Sequence, residues 1–138
     1  VMFKWHARHE RLLKAKRGEC ASQAQWEAFA LLLALTTWAP RIAAERAELH
    51  LFGDAEGVLR AVLARKAKSP PINMVIAEMG LALAQTHFEI HAAHVWSEEN
   101  ALADALSRWE ERNSLPEECK TMVRDRVSRP KFRFLGSK

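Results

Sequence analysis

With 138 residues, 49% of them hydrophobic and 28% charged, the chain has the size and apolar content of one globular domain, which argues against disorder as its main state. Its 21 Lys and Arg against 17 Asp and Glu give a formal charge of +4 and an isoelectric point near 9.4, an excess that suits a polyanionic partner without being diagnostic of one. Cys20 and Cys119 lie far apart, with no Cys-x-x-Cys pair and no histidines at zinc-ligand spacing, so neither a disulfide framework nor a structural zinc module is indicated. The longest apolar run, Ala28 to Leu35, is far shorter than a membrane span, and VMFKWHARHERLLKAKRGE lacks the apolar segment of a secretory signal. A soluble intracellular protein is expected, in cytoplasm or nucleus, with no membrane partner. The first residues read as mid-structure, as in a piece of a longer chain.

QAQWEAFALLLALTTW, Gln23 to Trp38, is apolar on most faces and predicts a buried helix that stops before Pro40. In AELHLFGD, Leu49, Leu51 and Gly53 alternate with His50 and Phe52, and Gly53-Asp54 punctuates the end of a short strand. AEGVLRAVLARKAK carries Val58, Leu59, Val62 and Leu63 at helical spacing, and Ser69-Pro70-Pro71 precedes a further helix, PPINMVIAEMGLALAQ, that Pro71 can open. HFEIHAAHV alternates Phe88, Ile90 and Ala92 against Glu89 and His91 and predicts a second strand. In the stretch that follows, Ser97 is a good N-cap, Glu98 and Glu99 suit a first turn, and Leu102, Leu106 and Trp109 form an apolar stripe. The residues from Asn113 to Lys138 are polar, basic and broken by proline, which predicts a loosely packed extension.

The order helix, strand, helix, helix, strand, helix indicates an α/β domain with parallel strands covered on both faces. Two strands make a thin sheet, so either VMFKWH adds a strand or other strands are missing, and an uncovered edge predicts aggregation or a partner segment.

Three acids stand out by place. Glu27 is the one acid inside an apolar helix, Asp54 follows a strand, and Asp104 lies beside Ser97, Asn100 and Arg108, away from the Leu102/Leu106 stripe. Strand ends are where open α/β sheets bind ligands, and carboxylates from separate elements are what hard divalent cations require. Each also has an ordinary reading: Glu27 as a helix-edge residue, Asp54 as a turn or cap residue, Asp104 as a solvated charge. His6, His9, His50, His87 and His91 read as structural or surface residues, and Trp5, Trp26, Trp38, Trp96 and Trp109 as core or rim packing.

The stretch EIHAAHVWSEENALADALSR resembles the last strand, the His-containing loop and the final helix of the ribonuclease H domain of retrotransposon-type reverse transcriptases. WEAFALLLALTTWAP is similar to that family's first helix with its metal-binding Glu, and ELHLFGDAEGVLRAVL to the unit that supplies its middle Asp. The resemblance implies an incomplete ribonuclease H-like three-layer α/β fold over residues 23–112, with 1–22 a remnant of the preceding strand and loop region and 113–138 a basic extension. It implies that Glu27, Asp54 and Asp104 ligate Mg2+, or Mn2+, and that His94 assists proton handling or product release from a loop. Asn100 would help fix that loop, and Arg65, Lys66 and Lys68 would grip substrate phosphates, although a bare basic run is more often a solvated helix end. The implied activity is two-metal hydrolysis of the RNA strand of an RNA-DNA hybrid, within a longer polyprotein that carries a polymerase domain. The chain departs from the family where Trp96-Ser97 replaces Pro-Gly, and where no Asp occurs before Asp54 to serve as the first catalytic Asp. An inactive remnant that keeps nucleic-acid binding or a structural role is the alternative.

Overall fold

The computed structural model describes residues 6–42, 48–86, 89–96, 98–107, 116–121, 127 and 132–135. The elements run α1 (Ala7–Leu13), a 3-10 turn (Cys20–Ser22), α2 (Gln23–Ile42), β1 (Glu48–Gly53), α3 (Glu56–Ala64), α4 (Pro70–Ala84), β2 (Glu89–His94), α5 (Ala101–Ser107) and a 3-10 turn (Glu117–Cys119). The fold is mixed α/β, and the strands pair in parallel from Glu48 opposite Glu89 to Gly53 opposite His94.

The period-two pattern decides which way the sheet faces. Leu49, Leu51, Ile90 and Ala92 join the hydrophobic core, whereas Glu48, His50, Phe52, Glu89, His91 and Ala93 are exposed on the other side. The expectation of cover on both faces is therefore corrected: among the described residues the core lies against one face only. That core is built from Ala28, Phe29, Leu32, Leu33 and Leu35 of α2, Val58, Leu59, Ala61 and Val62 of α3, and Val75, Ile76 and Met79 of α4. Leu13 at the end of α1 is fully buried and closes it at one end.

Several boundaries differ from the sequence reading. Helix α2 runs through Pro40 to Ile42 instead of stopping at Trp38. Pro40 lacks the N–H that would bond the Thr36 carbonyl one turn earlier, so one helical hydrogen bond is missing there, and in the preceding turn the hydroxyls of Thr36 and Thr37 donate to the carbonyls of Leu32 and Leu33 at 2.8 and 2.6 Å. Helix α3 ends at Ala64 because Arg65 adopts the left-handed conformation, φ 54°, and its N–H returns to the carbonyls of Ala61 and Val62. Pro70, not Pro71, is the first residue of α4.

The stretch before Gln23, expected to be a strand and loop remnant, holds α1 and a 3-10 turn; the additional strand proposed for VMFKWH falls on residues 1–5, outside the described ones. Helix α5 begins at Ala101 after a turn over residues 98–100 and buries no residue, and Leu102 is 41% exposed, so the Leu102/Leu106 stripe does not enter the core. His87, Phe88, Ser97, Arg108, Trp5 and Trp109 lie outside the described residues. Of the tryptophans expected at core or rim, Trp26 packs against the core, whereas Trp38 and Trp96 are exposed.

The expected loose extension is corrected at its described positions. Cys119 and Leu135 are buried, Phe132 sits against Phe29 with ring centroids 5.7 Å apart, and the Glu78 carboxylate on α4 accepts the backbone N–H groups of Phe134 and Leu135. A buried acid with two backbone donors is a strong local anchor.

Candidate carboxylate site

Parallel pairing brings the C-terminal ends of β1 and β2 together. Gly53 is opposite His94, and the Val95 N–H donates to the Gly53 carbonyl at 3.0 Å, so Asp54 leaves β1 beside the segment that leaves β2. That segment turns at once: the N–H groups of Glu99 and Asn100 donate to the Trp96 carbonyl at 2.9 and 3.1 Å, and the Asp104 N–H donates to the Asn100 carbonyl at 3.0 Å. The His94 ring meets the Trp96 indole edge to face, centroids 5.1 Å apart. An exposed indole thus lies against the histidine ring.

Helix α2 supplies Glu27, which is half-buried. Burial raises its carboxyl above the usual carboxylate range, a hydrogen bond with the Gln23 side chain one turn earlier opposes this, and the nearby Asp54 charge raises it further. Glu27 and Asp54 are therefore electrostatic neighbours, brought together from residues 27 positions apart in sequence. Gln23 was not singled out in the sequence, although its i, i+4 spacing from Glu27 is a visible signal.

The remaining residues assort differently. Among the described residues no three His, Cys, Asp or Glu side chains gather closely enough to hold a metal ion, so half-buried Asp104 does not complete a three-carboxylate group with Glu27 and Asp54. His94 and Asn100 lie on the segment that frames the pair, with His94 exposed. Arg65 instead belongs to the other end of the sheet, where it lines a cavity of about 620 Å³ with Val62, Met79, Leu83, Ile90 and Glu89. Glu89 begins β2 and His94 ends it, so five strand steps, about 16 Å, separate that cavity from the His94 end. Lys66 and Lys68 follow Arg65 and are exposed.

Among the described residues no helix is long and apolar enough to cross a membrane. No protein-family model, no curated protein and no solved structure matches the chain.

Proposed function

We propose that the chain is a ribonuclease H-like domain of a retroelement reverse transcriptase that engages RNA-DNA hybrids with Mg2+ or Mn2+ and, with its full ligand set, hydrolyses the RNA strand. The observation that carries this reading is the C-terminal end of two parallel strands, where Gly53 is opposite His94 and Asp54 follows β1, with Glu27 of α2 near enough to sense the Asp54 charge. A half-buried carboxylate that senses a second acid is stabilised by a hard cation, and Mg2+ is commonly bound through one or two carboxylates with water in its other positions. Glu27 and Asp54 fit that requirement; Asp104 enters the ligand set through the resemblance of its motif alone. When bound, the ion would supply an acidified water and charge stabilisation at a phosphodiester.

The chain's own groups divide the remaining tasks. Glu27 and Asp54 would hold the ion, Gln23 holds Glu27 by its side-chain hydrogen bond, and His94 stands exposed at the end of β2, where the resemblance assigns it proton handling. Recognition would run through phosphates and 2′-hydroxyls, with Arg65, Lys66, Lys68 and Asn100 as contacts and no base reading.

A second reading is favoured by the two-member carboxylate group: the 138 residues bind hybrid but cleave it little. Loss of one preorganised charge element commonly costs about two to three orders of magnitude in rate. Fluorescence anisotropy of a labelled hybrid, with and without Mg2+, together with a cleavage assay, tests both. Mg2+-dependent hybrid binding that Asp54→Asn abolishes supports the proposal, and the presence or absence of cleavage selects between the two readings. Binding that ignores Mg2+ and Asp54→Asn, and that heparin matches, refutes it.

A further inference from the structure

The solvent side of the sheet carries a second constellation. Parallel pairing sets like beside like there: Glu48 is opposite Glu89 and His50 opposite His91. The two imidazole rings stack with centroids 5.1 Å apart and planes 20° from parallel. Each also faces the acid two residues earlier on its own strand, His50 Nε2 at 3.4 Å from Glu48 Oε2 and His91 Nε2 at 3.9 Å from Glu89 Oε1. Residues i and i+2 of a strand share a face, and neighbouring strands stand about 4.8 Å apart. Two Glu-x-His segments in this register therefore form a rectangle, with imidazole nitrogens along one side and carboxylate oxygens along the other.

We infer that this face is a binding site for one borderline divalent metal ion, Zn2+ foremost, with His50 and His91 as nitrogen ligands and Glu48 and Glu89 as oxygen ligands. The side chains stand as two His-Glu contacts and do not converge on one point, in keeping with the absence of any three-donor group among the described residues. The backbone register is what fixes the donors as neighbours. All four side chains are 46 to 75% exposed, so turning them inward requires only rotamer changes of solvated groups.

Two imidazoles and two carboxylates suit the tetrahedral preference of Zn2+ and are a poor match for Mg2+, which favours oxygen ligands and water. Like charges directly opposite on adjacent strands repel, and a dication between Glu48 and Glu89 converts that repulsion into attraction. The same ion bridges β1 to β2, so binding tightens a ladder of only two strands. The site stands apart from the Glu27-Asp54 pair and does not depend on it.

The test is calorimetric titration of the full chain with ZnCl2, read beside thermal melts with and without zinc. We expect one Zn2+ per chain and a higher melting temperature in zinc. Each of His50→Ala and His91→Ala should weaken binding by at least the roughly 10- to 100-fold that loss of an outer-shell partner costs, and the double variant should lose the thermal shift. Glu48→Gln with Glu89→Gln should weaken binding less. All these side chains are exposed, and unchanged circular dichroism verifies the fold. Three results overturn the inference: no zinc uptake, uptake that survives in the His50→Ala, His91→Ala double variant, or one zinc shared between two chains.

Discussion

Replacing Glu78 tests whether the C-terminal segment is an integral part of the domain. Glu78 is 6% exposed and accepts the N–H groups of Phe134 and Leu135, the latter at 3.0 Å. In Glu78→Ala both donors lose their acceptor. Phe134 is 46% exposed, so its N–H can turn to water, whereas Leu135 is 4% exposed and its N–H must stay unsatisfied or drag the segment off the core. A hydrogen bond to a charged group contributes about 1.5 to 3 kcal/mol, and fully burying a leucine a similar amount, so either route costs about 2 to 3 kcal/mol. For a domain of this length that lowers the melting temperature by about 6 to 15 °C. Glu78→Gln keeps an acceptor oxygen without the charge and should cost about half as much. Thermal melts give the first readout, and native-state trypsin cleavage after exposed Arg133 gives the second, because it reports local release of the segment. A Glu78→Ala protein that melts with the parent and resists trypsin equally well refutes the anchor.

His9, 5% exposed, is held below the usual histidine range by burial first and then by the Arg8 and His6 charges. A depressed folded-state value means that stability is present above about pH 6.5 and is lost as the pH falls through the lower folded value, so urea midpoints should drop on acidification and drop less in His9→Gln. Glu27 has the opposite sign. Its raised carboxyl favours the protonated folded state, a contribution present below the unfolded value of 4.5 and lost as the pH rises through the folded one. Glu27→Gln should therefore melt at or above the parent at neutral pH while losing Mg2+-dependent hybrid binding; a lower melting temperature counts against the like-charge account. Leu32→Ala, at a fully buried position of α2, should cost about 2 to 5 kcal/mol in urea unfolding, and a smaller loss would mean that α2 is not central to the core.

What the sequence disclosed was local. Leu49 and Leu51, and Ile90 and Ala92, repeat with a period of two because each strand has one buried face, so both strands were visible with nearly their final bounds. Val58, Leu59 and Val62 did the same for α3. Pro40 misled because a helical proline's cost, one lost hydrogen bond and a clash with the carbonyl four residues earlier, is local, whereas α2 buries Ala28, Phe29, Leu32, Leu33 and Leu35 in the core. The docking of Phe134 on Glu78 spans 56 residues, and nothing in a basic, proline-broken composition announces it. In the candidate site, the strand end made Asp54 conspicuous and the apolar helix made Glu27 conspicuous. Their proximity depends on how α2 packs, which no local pattern records, and Asp104 lies on a short α5 that buries no residue.

Every rung of the β1-β2 ladder joins residues 41 positions apart, with α3 and α4 between them. During synthesis β1 is complete long before its partner exists: at ribosomal rates of about 5 to 20 residues per second the delay is about 2 to 8 s. Helices form within microseconds, so α2, α3 and α4 have time to collapse on one another while β1 offers unpaired N–H and C=O groups along its length. The sheet is then a late closure over a preformed helical layer, and the loop entropy of bringing Gly53 to His94 is met after the helices have docked. Glu27 and Asp54 are both synthesised before β2, whereas the His94 side of the same site arrives last. Pulsed hydrogen exchange during refolding should therefore protect the Leu32 amide before that of Val95.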